Sequence, residues 1–150
     1  MQLPLLLLAV LGLLTNRVAC FFGAKSLDAS ILRTFKLRSI ADIASEDAFA
    51  AATAAGNTIT VIDFQKSKCK PCIKVAPLYT SLSEKYAEKN IRFYKVDADS
   101  SSEALGILKA NGVRSVPTFQ VWNEGTLIDT VQGAHIDEVE EILISILAKQ

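Results

Sequence analysis

The run Thr58 to Phe64, TITVIDF, is β-branched, largely apolar and unbroken. A strand of that composition is buried on both faces, so other elements must cover it above and below. The flanking sequence supplies them. Ser45 suits a helix N-cap, with Glu46 and Asp47 in the first turn, where the helix dipole favours acids. The Ala-rich run that follows stops at Gly56. Cys72 to Asn90 carries Val75, Leu78, Leu82 and Tyr86 at spacings of three and four, the mark of a helix with one apolar face. Pro77 falls inside it and should kink it. Ile91 to Val96 (IRFYKV) reads as a strand, and Ser101 to Asn111 as a short helix closed by Gly112. Pro117 to Trp122 and Thr126 to Val131 read as two strands joined by a turn at Asn123-Glu124-Gly125. Asp137 to Lys149 closes the chain as an amphipathic helix with Val139, Ile142, Leu143 and Ile146 inward. The order β-α-β-α-β-β-α follows an amino-terminal strand and helix. It predicts an α/β fold, a mixed sheet covered on both faces. At 150 residues the chain has room for one such domain.

Composition removes several functions. Lys+Arg and Asp+Glu are 16 each, so the net charge is zero and a strongly basic nucleic-acid binder is excluded. Three cysteines are too few for a disulfide-stapled scaffold. The mean hydropathy of +0.28 owes its excess to the first residues. Leu3 to Leu14, LPLLLLAVLGLL, has no charge. It falls short of the roughly 20 apolar residues of a membrane span and matches a signal-peptide core of about 7–15. Val18-Ala19-Cys20 offers small residues before a cut, so residues 1–20 are expected to be a signal peptide and the product to keep no stable membrane span. Residues 21–36 form an extension. Between Phe21 and Ser39 it sets Lys25, Arg33, Lys36 and Arg38 against Asp28 alone, a basic, Ser-containing, acid-poor composition. Secretion or residence in the endomembrane system is the first expectation. The alternative is that leader and extension resemble the two-part leaders of proteins sent to complex plastids of algae.

Cys69-Lys70-Pro71-Cys72 carries the chemistry. Two cysteines three apart at a strand-to-helix junction can close into a small disulfide. Cys69 at the helix N-terminus lies where the dipole and free N–H groups favour a thiolate, the attacking species. Cys72, further in, suits the step that resolves a mixed disulfide. Pro71 fits a first turn that needs no donor. The competing chemistry is zinc, which takes four ligands. Only Cys20, in the leader, and His135 remain to supply them, so no metal is expected. An inert structural pair is the other alternative. Asp63 is either a buried acid, costly if unpaired and fit for proton transfer near neutral pH, or an exposed strand-end residue.

The segments VIDF-x4-CKPC, FYKVDAD, GVRSVPTF and NEGTLIDTVQGA resemble the thioredoxin family in order and spacing, from about Leu37 to the C-terminus. The resemblance implies a thioredoxin fold over residues 37–150 and thiol–disulfide oxidoreductase activity through Cys69 and Cys72. It implies that Asp63 assists proton transfer at the resolving cysteine, with Lys95 nearby. It also implies a cis-proline at Pro117 facing the dithiol and Val116 presenting backbone to substrate, with Lys70 and Pro71 beside them. Pro77 matches the family's kink proline, and Gly125 and Gly133 match glycines of the hairpin turn and the groove rim. No cofactor beyond the Cys69–Cys72 disulfide is implied. The implied partners are disulfide-containing proteins and an upstream reductant such as a thioredoxin reductase, with no nucleic acid. Reduction of protein disulfides is the leading function. The alternatives are an oxidising or isomerase-like role in the secretory pathway and a non-catalytic binding subunit.

One departure stands out. The family places aromatics where this chain has Gln65 and Lys68, and Gly where it has Lys70. With Lys66 and Lys74, four lysines fall within nine residues around the dithiol. They are either a solvated face or a positive collar that stabilises the Cys69 thiolate and attracts acidic surfaces.

Overall fold

The computed structural model describes residues 40–149. The expected signal peptide (1–20), the extension (21–36) and residues 37–39 lie outside the described residues. Five strands form one mixed sheet in the order β1-β3-β2-β4-β5. They are β1 (Ala41–Asp42), β2 (Ile59–Gln65), β3 (Ile91–Asp97), β4 (Thr118–Asn123) and β5 (Thr126–Gln132). The pairs β1/β3 and β3/β2 are parallel, and β2/β4 and β4/β5 are antiparallel. The TITVIDF strand is central and buried along its length, as its composition requires.

The two faces bury separate cores. On one, Val61 of β2 packs with Val75 and Tyr79 of α2 (Lys70–Lys85) and with Val139 and Leu143 of α4 (Ile136–Leu147). On the other, Ile62 and Phe64 meet Ala52 of α1 (Glu46–Thr53) and Ile107 of α3 (Ser102–Ala110). The period of two along β2 therefore puts Asp63, like Val61, on the face covered by α2 and α4.

Several local expectations shift, each for a physical reason. Helix α2 begins at Lys70, two residues earlier than its apolar period suggests, because the Cys69 sulfur caps it. It ends at Lys85 rather than Asn90, since the chain must turn to let the Asn90 carbonyl accept from Ile59 N at 3.0 Å and start β2. Leu78, expected inward, is 53% exposed. Tyr79 takes its place, and its hydroxyl donates to the carbonyls of Tyr94 at 2.8 Å and Val61 at 3.1 Å. Helix α1 stops at Thr53, before Gly56, and Asn57 rather than Gly56 adopts the left-handed conformation, with φ 53°. The hairpin turn is two residues, Glu124 (φ 50°) and Gly125 (φ 78°), matching the twist of β4 and β5. Trp122 is a strand residue whose ring meets Phe49 edge-on at 5.7 Å.

Candidate functional site

Cys69 sits between a loop and a helix. Its backbone is extended (φ −82°, ψ 108°), and its Sγ accepts from Cys72 N at 3.2 Å. A sulfur so placed faces the unpaired N–H groups of the first turn, which stabilise negative charge on it when the disulfide is open. Cys69 and Cys72 are joined as a disulfide, with their Cα atoms 5.2 Å apart. Cys72 is 1% exposed and Cys69 only half-buried, so an approaching disulfide reaches Cys69 first. Pro71 occupies the second helical position, where no intrahelical donor is required.

Across from the cysteines the Val116–Pro117 bond is cis. The Val116 carbonyl oxygen lies 3.7 Å from Cys69 Sγ, within reach of a thiol proton there. The Pro117 carbonyl accepts from Gly133 N at 2.8 Å, which ties this loop to the end of β5. Gly133 has φ 91°, and a Cβ on it would stand 3.0 Å from the His135 ring, so the position admits only glycine without rearrangement. His135 precedes α4 and makes no side-chain cap; its Nδ1 lies 3.9 Å from a Glu138 oxygen.

Asp63 is the buried acid of the two alternatives, 2% exposed. Its Oδ1 has no hydrogen-bond partner among the described residues. Burial pushes its pKa from 3.8 up to about 7, while the positive charge of Lys95 pulls it down. Lys95 is its register partner on the parallel neighbour β3 and lies 3.4 Å from Asp42 on its other side. Asp63 lies on the sheet face that α2 covers, and Cys72 is buried on α2. Cys72, Val75 and Tyr79 are the buried stripe of α2, and the field of Asp63 acts on Tyr79, raising its pKa after the larger effect of burial. A buried acid poised near neutrality on that face can exchange protons during thiol chemistry.

The loop between β2 and Cys69 carries a contact that its own sequence does not signal. Ser67 Oγ donates to Asp97 Oδ2 at 2.6 Å, and Ser67 N donates to Asp99 Oδ2 at 3.1 Å. Asp99 N in turn donates to Asp97 Oδ1 at 2.9 Å. Both acids belong to the FYKVDAD segment, and the pairing of Gln65 with Asp97 brings them to the loop. Lys66, Lys68, Lys70 and Lys74 are all exposed around it. Among the described residues no group of three His, Cys, Asp or Glu side chains is placed to hold a metal ion.

The thioredoxin family model matches residues 41–146. The chain is 38% identical over 106 residues to the thioredoxin of Coprinus comatus, covering 71% of this chain and 96% of that one. Among solved structures, the thioredoxin of Malassezia sympodialis superposes with a TM-score of 0.64 at 34% identity, over 71% of this chain and 90% of its own. A chain of the complex between ferredoxin:thioredoxin reductase and thioredoxin f2 gives 0.61 at 29% identity, over 75% and 96%. The mixed five-stranded sheet with four helices is the thioredoxin fold.

Proposed function

The chain belongs to the thioredoxin family, and on that premise we propose that it reduces protein disulfides with its own dithiol and no bound cofactor. The observation that carries the reading is the Cys69–Cys72 pair, capped onto a helix N-terminus and facing the Val116–Pro117 loop. With a cysteine pair at disulfide distance, a family member of this kind is a thiol–disulfide oxidoreductase. The direction of exchange is our proposal, supported by Pro71, which suits a reducing dithiol.

The Cys69 thiolate attacks one sulfur of a target disulfide. That S–S bond breaks, a mixed disulfide forms at Cys69, and the other target sulfur leaves as a thiolate and takes a proton from water. The Cys72 thiol passes its proton to the Asp63 carboxylate and attacks Cys69 Sγ. The second target sulfur leaves, and Cys69–Cys72 closes. Two electrons have moved from the dithiol to the target, and an upstream reductant of the thioredoxin reductase type returns them. Val116 offers backbone to the bound segment beside Lys70 and Pro71, and Lys95 keeps the Asp63 carboxylate accessible near neutral pH. The working domain spans residues 37–150. Turbidity from reduced insulin, with dithiothreitol as donor, tests the reading. Acceleration over dithiothreitol alone is expected, and no acceleration points to a binding subunit.

The leader favours a second reading, an oxidising role, because its compartment favours disulfides. Locating the protein bears on this. A fluorescent protein fused after residues 1–40 should enter the endomembrane system or a plastid bounded by it. Uniform cytosolic fluorescence with an intact amino terminus contradicts both destinations.

A further inference from the structure

Among the described residues Lys66, Lys68, Lys70, Lys74 and Arg114 make no ion pair, whereas Lys85 and Lys95 each do. Their placement costs stability. Lys70 and Lys74 are like charges one helical turn apart, at the end of α2 where the dipole repels cations. The other three helices carry acids in their first turns: Glu46 and Asp47, Glu103, and Asp137 and Glu138. Helix α2 carries none. Asp97 and Asp99, which meet the loop through Ser67, form no ion pair with these cations among the described residues.

These charges surround the reactive sulfur. Lys68 and Lys70 flank Cys69 in the chain, and Lys74 is one turn along α2. Arg114 is exposed two residues before Val116, whose carbonyl lies 3.7 Å from Cys69 Sγ. Ile73, next to Cys72, is 62% exposed and gives the patch an apolar centre. A small apolar centre rimmed by one sign of charge has the build of a partner-binding surface.

We infer that this surface selects protein disulfides flanked by carboxylates, on partners that present an acidic face with an apolar contact for Ile73. The inference rests on the reductase reading above and names its substrate class. Attraction through water is weak for any one charge, but several cations within a Debye length of about 8 Å at physiological salt add to a shared field. The acid-flanked target is then captured faster and the mixed disulfide at Cys69 is held in register. The exchange itself is unchanged: the two electrons come from the dithiol.

The test uses pre-reduced full-length protein in single turnover with three synthetic disulfide peptides. They are alike except that Glu, Ser or Lys flanks the disulfide. At low ionic strength the Glu peptide should react about 10-fold faster than the Ser peptide, and the Lys peptide more slowly than either. In half-molar salt the spread should shrink to about 2-fold or less. Converting Lys66, Lys68, Lys74 and Arg114 to Gln should erase most of the preference while the Ser peptide still reacts. Converting the distant Lys89 and Lys109 to Gln should leave the preference intact. Equal rates on the three wild-type reactions, or a preference that survives the fourfold change, overturn the inference and leave the reductase standing. Failure to reduce any peptide overturns the reductase and the inference with it.

Discussion

Cys69→Ser brings disulfide reduction down to the uncatalysed background, while Cys72→Ser still attacks once and then stops. The difference follows from placement. Cys69 is half-buried and has the free N–H groups of α2 turned toward it, so on the proposed mechanism it supplies the thiolate that opens the target. A serine hydroxyl there has a proton too tightly held to be a nucleophile near neutral pH. Cys72 is 1% exposed and bonded to the sulfur of Cys69. Without it the mixed disulfide persists, and turnover in the insulin assay falls to the rate at which dithiothreitol cleaves that adduct. Stopped-flow mixing with a disulfide peptide separates the cases: no fast phase for Cys69→Ser, and one fast phase without release for Cys72→Ser. Full turnover by Cys69→Ser would show that another group attacks.

Asp63→Asn is expected to stabilise the oxidised protein and slow its chemistry. Burial raises the Asp63 pKa from 3.8 to about 7, so the ionised form is disfavoured in the folded state. The sign follows directly. Below pH 3.8 the acid is neutral in both states and costs nothing. As pH rises toward 7 the unfolded chain ionises first, and stability is lost across that window, then stays lower. At roughly 1.4 kcal/mol per pKa unit the interval corresponds to about 4 kcal/mol, an upper bound, because Asn keeps a buried polar group where Oδ1 already lacks a partner. For a domain of this size that amounts to a rise in melting temperature on the order of 10 °C at pH 8, vanishing near pH 4. The kinetic effect runs the other way. Resolution by Cys72 should slow by about 10²–10⁴-fold at neutral pH and lose its rise through pH 7, with first attack by Cys69 little changed. A melting temperature that moves equally at pH 4 and pH 8, or equal slowing of both steps, would contradict this account of Asp63.

The features legible in the sequence are local. An unbroken apolar strand demands covers on both faces, and a Cys-x-x-Cys at a strand-to-helix junction places one sulfur at the dipole; both expectations hold in the structure. The points that moved depend on groups distant in sequence. Spacings of three and four admit Leu78 or Tyr79 on the buried stripe of α2. The choice falls to Tyr79 because its hydroxyl reaches two carbonyls across the core. Asp63 was equally readable as exposed or buried, since only the packing of α2 and α4 over its face decides. Helix α2 starts two residues before its apolar pattern because a cysteine sulfur acts there as the cap, the task usually given to Ser, Thr, Asp or Asn. Ser67 is invisible from its neighbours, because its partners Asp97 and Asp99 lie about 30 residues on and meet it only through the parallel register of β2 and β3.

The most direct test of the central claim, that Cys69 attacks and Cys72 resolves, is to weigh the trapped intermediate. Reduced Cys72→Ser protein is mixed with one equivalent of a disulfide peptide, quenched in acid and mapped by mass spectrometry. The account predicts a single adduct, with half of the peptide disulfide bonded to Cys69. A reduced Cys69→Ser protein that forms the same adduct through Cys72 at a comparable rate would contradict it.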